Sequence, residues 1–387
     1  MPSTLKITNI KANDGTSALT FDNSTGKVST ASELDVPTAI KIGGTTVASK
    51  DSNNNINLGS TVASPMSRGQ FRKEDPTVVL FTKTGQSTAQ TQTALFVEVN
   101  GQTKSIVSGS TVTMPSLIAG TDYAIWVTTS GTLQADASHT SPPSANARKI
   151  GGFHYAPGGN ATGTSGGDTT EQINQYSFWD LKFRPSCPDP RGMTLVSDSF
   201  WADIYLCGVD HHTNGTSKYN VQIADAATPP KVSPKFGGNG STAYSDANWF
   251  DFGEVMRSHG KRLPTYAEFS ALAYGTTEAS SRVTESATTQ MSTTDDNFTS
   301  KWGVIQSTGC MDIVGNHFGG GTGASSWNST VTDGRGSAYQ LENSVRFGGY
   351  WGRGNASGSR CSSWSQNSGY SSSAIGGRGV CNHLIVD

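Results

Sequence analysis

The chain has 387 residues, of which 34% are hydrophobic and 15% charged, the charged share standing against ~25% in ordinary soluble domains. A formal net charge of -2 and a pI near 6.4 leave no basic footprint for DNA or RNA, which argues against a nucleic-acid partner. No stretch approaches the ~20 apolar residues of a membrane span, and "MPSTLKITNIKAND" lacks the ~7–15-residue apolar centre of a secretory signal. We therefore expect no membrane insertion and synthesis in the cytoplasm. Low charge with 45 glycines and many Ser, Thr and Asn residues suits strands joined by Gly and Asn turns. The expected fold class is multidomain and mainly β.

Residues 1–70 form the first block. "LKITNIKA", "SALTF" and "AIKIGGTTVAS" alternate weakly, with turns at "DNSTG", Gly43-Gly44 and "DSNNN", as short strands do. Phe21 is the block's one aromatic residue, too thin a core for independent stability. Sharing a core among several copies is the physical remedy, so we expect a β-prism-like oligomerisation region that also attaches the molecule.

Residues 71–172 carry five strand signals: "TVVLFTKTG", "ALFVEVNGQTKSIV", "STVTM", "DYAIWVTTSGTLQA" and "ARKIGGFHY". Asn100-Gly101 marks a hairpin, since both residues tolerate positive φ. A β-sandwich is expected, trailed by "APGGNATGTSGGDTTEQ" as a linker or exposed loop.

Residues 173–387 change character, with seven of the eight tryptophans and the convincing helix signals. "DANWFDFGEVMRSHG" places Trp249, Phe252, Val255 and Met256 on one helical face and stops at Gly260. In "LPTYAEFSALAYG", Thr265 and Glu268 form a capping box ahead of Phe269, Leu272 and a terminal Gly275. With strands such as "FWADIYL" and "FGGYW", this predicts an α+β domain. The end of the chain poses a puzzle. From Tyr350 through Gly376 there are nine serines and five glycines, a linker composition. Only eleven residues follow, and Val380 with Leu384-Ile385-Val386 read as a buried strand.

Several stretches together resemble one family. "HGKRLPTYAEFSALAYG" is similar to the helix signature of the C-type lectin fold in its formylglycine-generating-enzyme branch, and "WGVIQSTGCMDIVGNHFGG", "RFGGYWGRGNASGSRCSSW" and "GGRGVCNHLIVD" fall where that branch has its other motifs. Within it, the chain most resembles the phage major tropism determinants, receptor-binding proteins diversified by a retroelement. That similarity extends to "ARKIGGFHYAPG", "YSFWDLKFRP", "DPRGMTLV", "FWADIYL" and "GTSKYNV", and runs in order over roughly residues 75–387.

The resemblance implies a C-type lectin fold whose first and last strands pair, "FWADIYL" against "CNHLIVD", so that the Ser/Gly stretch is pinned at both ends and displayed. It implies a variable region at about 346–387. Carried over by position, the receptor-binding sites are Tyr350, Gly352, Gly354, Ala356, Ser363, Ser365, Gln366, Tyr370, Ser372, Ala374 and Ile375. Trp351, Arg360 and Trp364 read as anchors. The spacing of two from 350 to 356 suggests one face of an extended segment. Gln366 departs from the pattern, because an AAC or AAT codon altered only at its adenines cannot yield Gln. The implied function is a tail-fibre tip protein of the virion, a homotrimer joined to other tail-fibre components, adsorbing to a host bacterial surface receptor, protein or glycan. The alternative is a non-diversified C-type-lectin-fold adhesin, viral or bacterial.

We expect no enzyme activity and no cofactor. The copper site of formylglycine-generating enzymes needs two cysteines; Cys361 stands near one position, but Ala356 occupies the other. "LENSV" and "WNST" only faintly echo the Glu-Pro-Asn and Trp-Asn-Asp triplets of calcium lectins. Asp210-His211-His212 reads as a solvated polar loop rather than a metal site, and His383 as a core-edge residue. The five cysteines show no CxxC pair, and the odd count favours reduced thiols while leaving room for one bridge. No nucleophile elbow or phosphate loop is present.

Overall fold

The computed structural model describes residues 70–282, 291–319 and 343–386, two short strands between the last two segments, and the backbone of six strands within residues 1–69. The chain divides into two compact units, Met1–Gly69 and Gln70–Asp387.

In the first unit, Asn9–Lys11, Ser17–Phe21 and Val28–Thr30 form one three-stranded antiparallel sheet. Ala39–Ile42, Thr45–Lys50 and Ile56–Leu58 form another. The side chains of this unit, and with them the shared-core expectation, lie outside the described residues.

The second unit opens with two sheets around one core. Strands β1 (Phe71–Lys73), β2 (Leu95–Val99) and β3 (Gln102–Ile106) lie in the order β3-β2-β1. Leu95, Val97 and Val99 point inward while Phe96 and Glu98 are partly exposed, the period of two that a half-covered sheet demands. The hairpin forms where Asn100-Gly101 predicts it: Asn100 has φ 51°, Gly101 φ 76°, and Val99 faces Gln102.

Strands β4 (Thr121–Val127) and β5 (Arg148–Ala156) centre a six-stranded sheet. Both are buried in continuous runs rather than at alternate residues, so both faces are covered. The Gly151-Gly152 pair explains how β5 accepts neighbours so closely. A Cβ on Gly151 would lie 2.4 Å from the Trp179 carbonyl oxygen, and one on Gly152 2.5 Å from that of Tyr123.

Residues 156–172 are not a free linker. Ala161 N donates to Ser300 O at 3.1 Å, Gly166 N to Gly275 O at 2.9 Å and Gly167 N to Asp296 O at 2.8 Å. Glycines admit the facing backbone within hydrogen-bond range, which the composition alone reads as looseness. Buried polar groups join the same regions. Lys73 Nζ meets Asp180 at 2.8 Å. His154 bonds Asp122 through Nδ1 and Tyr205 through Nε2, each at 2.9 Å.

Among the described residues, the rest is built mainly from two four-stranded sheets and two helices of more than one turn. In the first sheet β6 (Phe183–Pro185), β7 (Met193–Val196), β8 (Phe200–Asp203) and the last strand of the chain, Val380–Ile385, lie in the order β6, last strand, β8, β7. Phe200 faces Asn382, Trp201 faces Cys381 and Ala202 faces Val380, the pairing expected of "FWADIYL" and "CNHLIVD". The second half of that strand is a correction. Val380 and Cys381 are buried, but Leu384, Ile385 and Val386 are 39–47% exposed, because this end of the strand runs past β8 and pairs only with β6.

Helix α1 (Trp249–Ser258) buries Phe252, Val255 and Met256 and starts in a capping box, Asn248 with Asp251. Helix α2 (Tyr266–Leu272) starts in the predicted box, Thr265 with Glu268, and buries Phe269 and Leu272. Between them, the carboxylate of Asp203 accepts from Lys261 Nζ at 2.5 Å and from Thr216 Oγ1 at 2.7 Å. The second sheet holds β9 (Asp312–Gly319), β10 (Asn343–Phe347), β11 (Ser362–Asn367) and β12 (Ile375–Gly376) in the order β11-β10-β9-β12; the last strand, Val380–Ile385, is therefore β13. No helix among the described residues is long and apolar enough to cross a membrane. The five cysteines are free thiols, four of them buried. His211 corrects the solvated-loop reading: it is fully buried, bonded to His259 at 3.0 Å and to the Lys231 carbonyl at 2.6 Å.

Candidate functional site

The serine-rich segment is held at both ends and along its length. Upstream, β10 runs between β9 and β11. Downstream, Arg378 has no exposed surface. Its Nη1 donates to the carbonyls of Asp203 and Ile204 at 2.7 and 2.8 Å, and its Nη2 to those of Ile305 and Gln306 at 2.7 and 3.1 Å. Between these clasps the loops bond to the frame. Ser281 Oγ donates to the Trp351 carbonyl at 2.7 Å, Ser359 Oγ to Glu278 at 2.5 Å, and Trp249 N to the Ser368 carbonyl at 3.2 Å. The linker-like composition thus describes a bound surface whose hydroxyls and small residues satisfy close backbone contacts.

The residues 350–356 do not form an extended face. Gly348 and Gly349, at φ 84° and 77°, turn the chain out of β10. Arg353 N then closes a turn on Tyr350 O at 2.9 Å, and Gly354–Ala356 form a single 3₁₀ turn. Side chains spaced by two therefore diverge, and the one-face reading of Tyr350, Gly352, Gly354 and Ala356 is corrected.

Most of the expected site residues reach the surface. Gly352, Gly354, Ala356, Ser365 and Tyr370 are exposed, and Tyr350, Ser363, Gln366, Ser372 and Ala374 are half-buried. Ile375 offers almost no surface: at 1% exposure it packs in the core with Phe252, Val255 and Val314, and it also borders the pocket that the other residues line. Its place on β12, parallel to β9, turns its side chain inward beneath α1.

Tyr350, Gln366, Tyr370, Ser372 and Ala374 converge on one pocket of about 270 Å³. Gly352, Gly354, Ala356, Ser363 and Ser365 lie outside its lining. Trp351, Ser373 and Ile375 line it too, with three charged residues, Asp312 of β9, Arg346 of β10 and Arg353 of the turn, and reasoning from sequence missed the three charges. The signal was present for two of them: "CMDIVG" and "NSVRFGG" each place one charge in an otherwise apolar strand, which folding tolerates only with a partner.

The geometry around these charges is ordered. The Arg346 guanidinium lies 5.0 Å from the Tyr370 ring centre, and that of Arg353 5.0 Å from the Tyr350 ring centre, a cation–π separation. Asp312 stands 4.0 Å from each guanidinium, beyond hydrogen-bond range. Burial pushes the Asp312 carboxyl up, against the pull of the two arginines. Arg346 Nη2 reaches Ser365 Oγ at 3.3 Å. A register slip between Ser344 and Arg346 lets the next residue, Gln366, line the same pocket, as a bulge does.

The expected anchors divide. Trp351 is half-buried, with its ring edge-on to Tyr350 at 5.4 Å. Trp364 is 38% exposed and lies over Gly319, where a Cβ would sit 2.9 Å from the indole. Arg360 is exposed, and it is its backbone carbonyl that accepts from the Tyr266 hydroxyl at 2.8 Å. Cys361 is half-buried, and burial pushes its thiol up.

Comparison with known proteins places this architecture. The family model described as "Mtd second domain" matches residues 79–180. The tail fiber receptor-binding protein of Bordetella phage BPP-1 is 53% identical over 330 residues, spanning 82% of this chain and 85% of that protein. The solved structure of the major tropism determinant I1 variant is 50% identical, with a TM-score of 0.80 over 88% of this chain and 95% of that one. The M1 variant is 45% identical, with a TM-score of 0.80 over 98% and 97%. The class so defined is that of phage tail-fibre proteins with a mainly β fold. The chain belongs to the major tropism determinant family.

Proposed function

We propose that this chain is a receptor-binding protein at the tip of a phage tail fibre, and that the surface formed by residues 350–374 contacts a molecule on the host bacterium. The observation that carries this reading is the pocket, where Tyr350 and Tyr370 are presented by a segment clasped by Arg378 on one side and β10 on the other. The similarity to the tail fiber receptor-binding protein of Bordetella phage BPP-1 supports it. Tyrosine offers contact area at small entropic cost, while Ser, Gly and Asn adapt their hydrogen bonds, as in antibody paratopes. The chemistry is contact; a half-buried Cys361 with a raised pKa suits no thiolate role.

In this reading the second unit comprises a β-sandwich and a C-type lectin fold, and the first unit makes a β-prism-like homotrimer joined to other fibre components. With two large displayed side chains, a single site binds weakly, at about micromolar strength. Linked copies raise the effective strength by ~10²–10⁴. The displayed positions are diversified by a retroelement, with Gln366 the weakest of them, because adenine rewriting of an AAC or AAT codon does not reach Gln, and with Ile375 almost fully buried. Two measurements test the reading. Phage carrying Tyr350→Ala with Tyr370→Ala should lose adsorption to its host while melting curves show the protein still folded at the assay temperature; unchanged adsorption refutes receptor contact here. The DNA should carry a near-copy of the 3′ end beside a reverse transcriptase gene, and its absence removes diversification without touching binding.

A further inference from the structure

We infer that the pocket between Tyr350 and Tyr370 recognises a single carboxylate group carried by the receptor. This rests on receptor contact at the surface proposed above, and it adds the chemistry of the group that enters.

The lining holds two cations and one acid, Arg346, Arg353 and Asp312, a formal excess of one positive charge. Asp312 does not consume the donors of its neighbours, since it stands 4.0 Å from both. Arg346 is 5% exposed, and its Nη2 makes only long contacts, to Ser363 Oγ at 3.5 Å and Ser365 Oγ at 3.3 Å. A carboxylate in the pocket offers this guanidinium a stronger, charge-assisted acceptor than the two hydroxyls it now meets. The stacking of each guanidinium over a tyrosine ring occupies its face and leaves the in-plane N–H groups for a planar, two-oxygen acceptor.

A carboxylate fits this balance better than a phosphate. One negative charge cancels the excess, whereas a phosphate near -2 overshoots it and lies against Asp312. The volume of about 270 Å³ admits one acidic side chain or one sugar acid, with Gln366 and Ser372 at the rim to bond its remaining polar atoms.

The test uses the full chain and small probes observed by ligand-detected NMR: N-acetylglutamate N-methylamide and methyl glucuronide, each against its neutral partner, N-acetylglutamine N-methylamide and methyl glucoside. The acid should bind about tenfold more tightly than its neutral partner or better, and weaken when salt is raised roughly fivefold. Arg353→Gln should abolish that preference and Arg353→Lys restore part of it, as the charge returns without the planar fork. Arg353 is at the surface, so both variants should fold, which melting curves check. A preference confined to the amino-acid pair points to a protein receptor, and one confined to the sugar pair to an acidic glycan. Equal binding of acid and neutral probes, no acid binding at millimolar probe, or a preference that survives Arg353→Gln overturns the inference. Phage adsorption separates the two readings. Loss with the tyrosine double variant but not with Arg353→Gln sinks the carboxylate alone, and no loss with either sinks receptor contact itself.

Discussion

Arg378 donates from Nη1 to the carbonyl oxygen of Asp203 at 2.7 Å, 175 residues away in sequence. The same buried guanidinium serves three more carbonyls, and burial lowers its pKa only to about 10, so it stays charged at neutral pH. It ties the strand that ends the displayed segment to β8 and to the loop at Ile305. Arg378→Met should orphan four buried carbonyls and lower stability by about 3–5 kcal/mol. Denaturant unfolding measures this, and a loss under about 1 kcal/mol would show that water replaces the clasp.

Stability should also fall in mild acid. Burial depresses the His259 pKa from 6.5 to about 4, with His211, Lys261 and Lys235 adding to the effect, and burial lowers His211 too. The unfolded chain takes up these protons first. The contribution is therefore complete above pH 6.5, is lost as pH falls towards 4, and is flat below that. For His259 it amounts to no more than about 3 kcal/mol. His259→Gln should flatten the stability–pH curve over this window, and an unchanged slope would assign it to other groups.

Gly151→Ala should destabilise by about 1–3 kcal/mol through overpacking. The new Cβ meets the Trp179 carbonyl oxygen at 2.4 Å and the Phe81 ring at 2.7 Å. Backbone on one side cannot yield as a side chain would. A melting temperature within a degree of the parent protein would mean that β5 can move away from Trp179.

The pocket tyrosines should separate recognition from folding. Tyr370 is 38% exposed and its ring lies against the buried Arg346 guanidinium, so Tyr370→Ala should lower stability by about 1–2 kcal/mol, too little to unfold the domain. It should still reduce host adsorption severalfold. Tyr370→Phe, which keeps the ring under Arg346, should retain more adsorption than Tyr370→Ala. Equal losses would shift the role from the ring to its hydroxyl.

Much was legible because it depends on neighbours in sequence. The Thr265–Glu268 box, the Asn100-Gly101 hairpin and the end of α1 before Gly260 follow from local hydrogen bonding and backbone freedom. The partner of the last strand was legible too, through the resemblance to a fold whose first and last strands pair. The loop at 156–172 was not, because glycine-rich composition describes equally a free linker and one whose backbone is bonded to facing loops. The run Leu384-Ile385-Val386 misled for a related reason: apolar character states what a strand can bury, not whether a second neighbour reaches that far.

The sequence by itself determined the mainly β character, the helices with their caps, the pairing that closes the chain and the segment carrying the tyrosines. Those are set by periodicity, by turn chemistry and by family motifs that survive in order. Only the tertiary structure decided that 350–356 turns rather than extends, that Ile375 points into the core, and that Asp312, Arg346 and Arg353 meet beneath the tyrosines. Which way a side chain faces there depends on a register slip in β10 and on α1 lying over β12. Such choices are settled by packing between distant parts of the chain, and no local pattern encodes them.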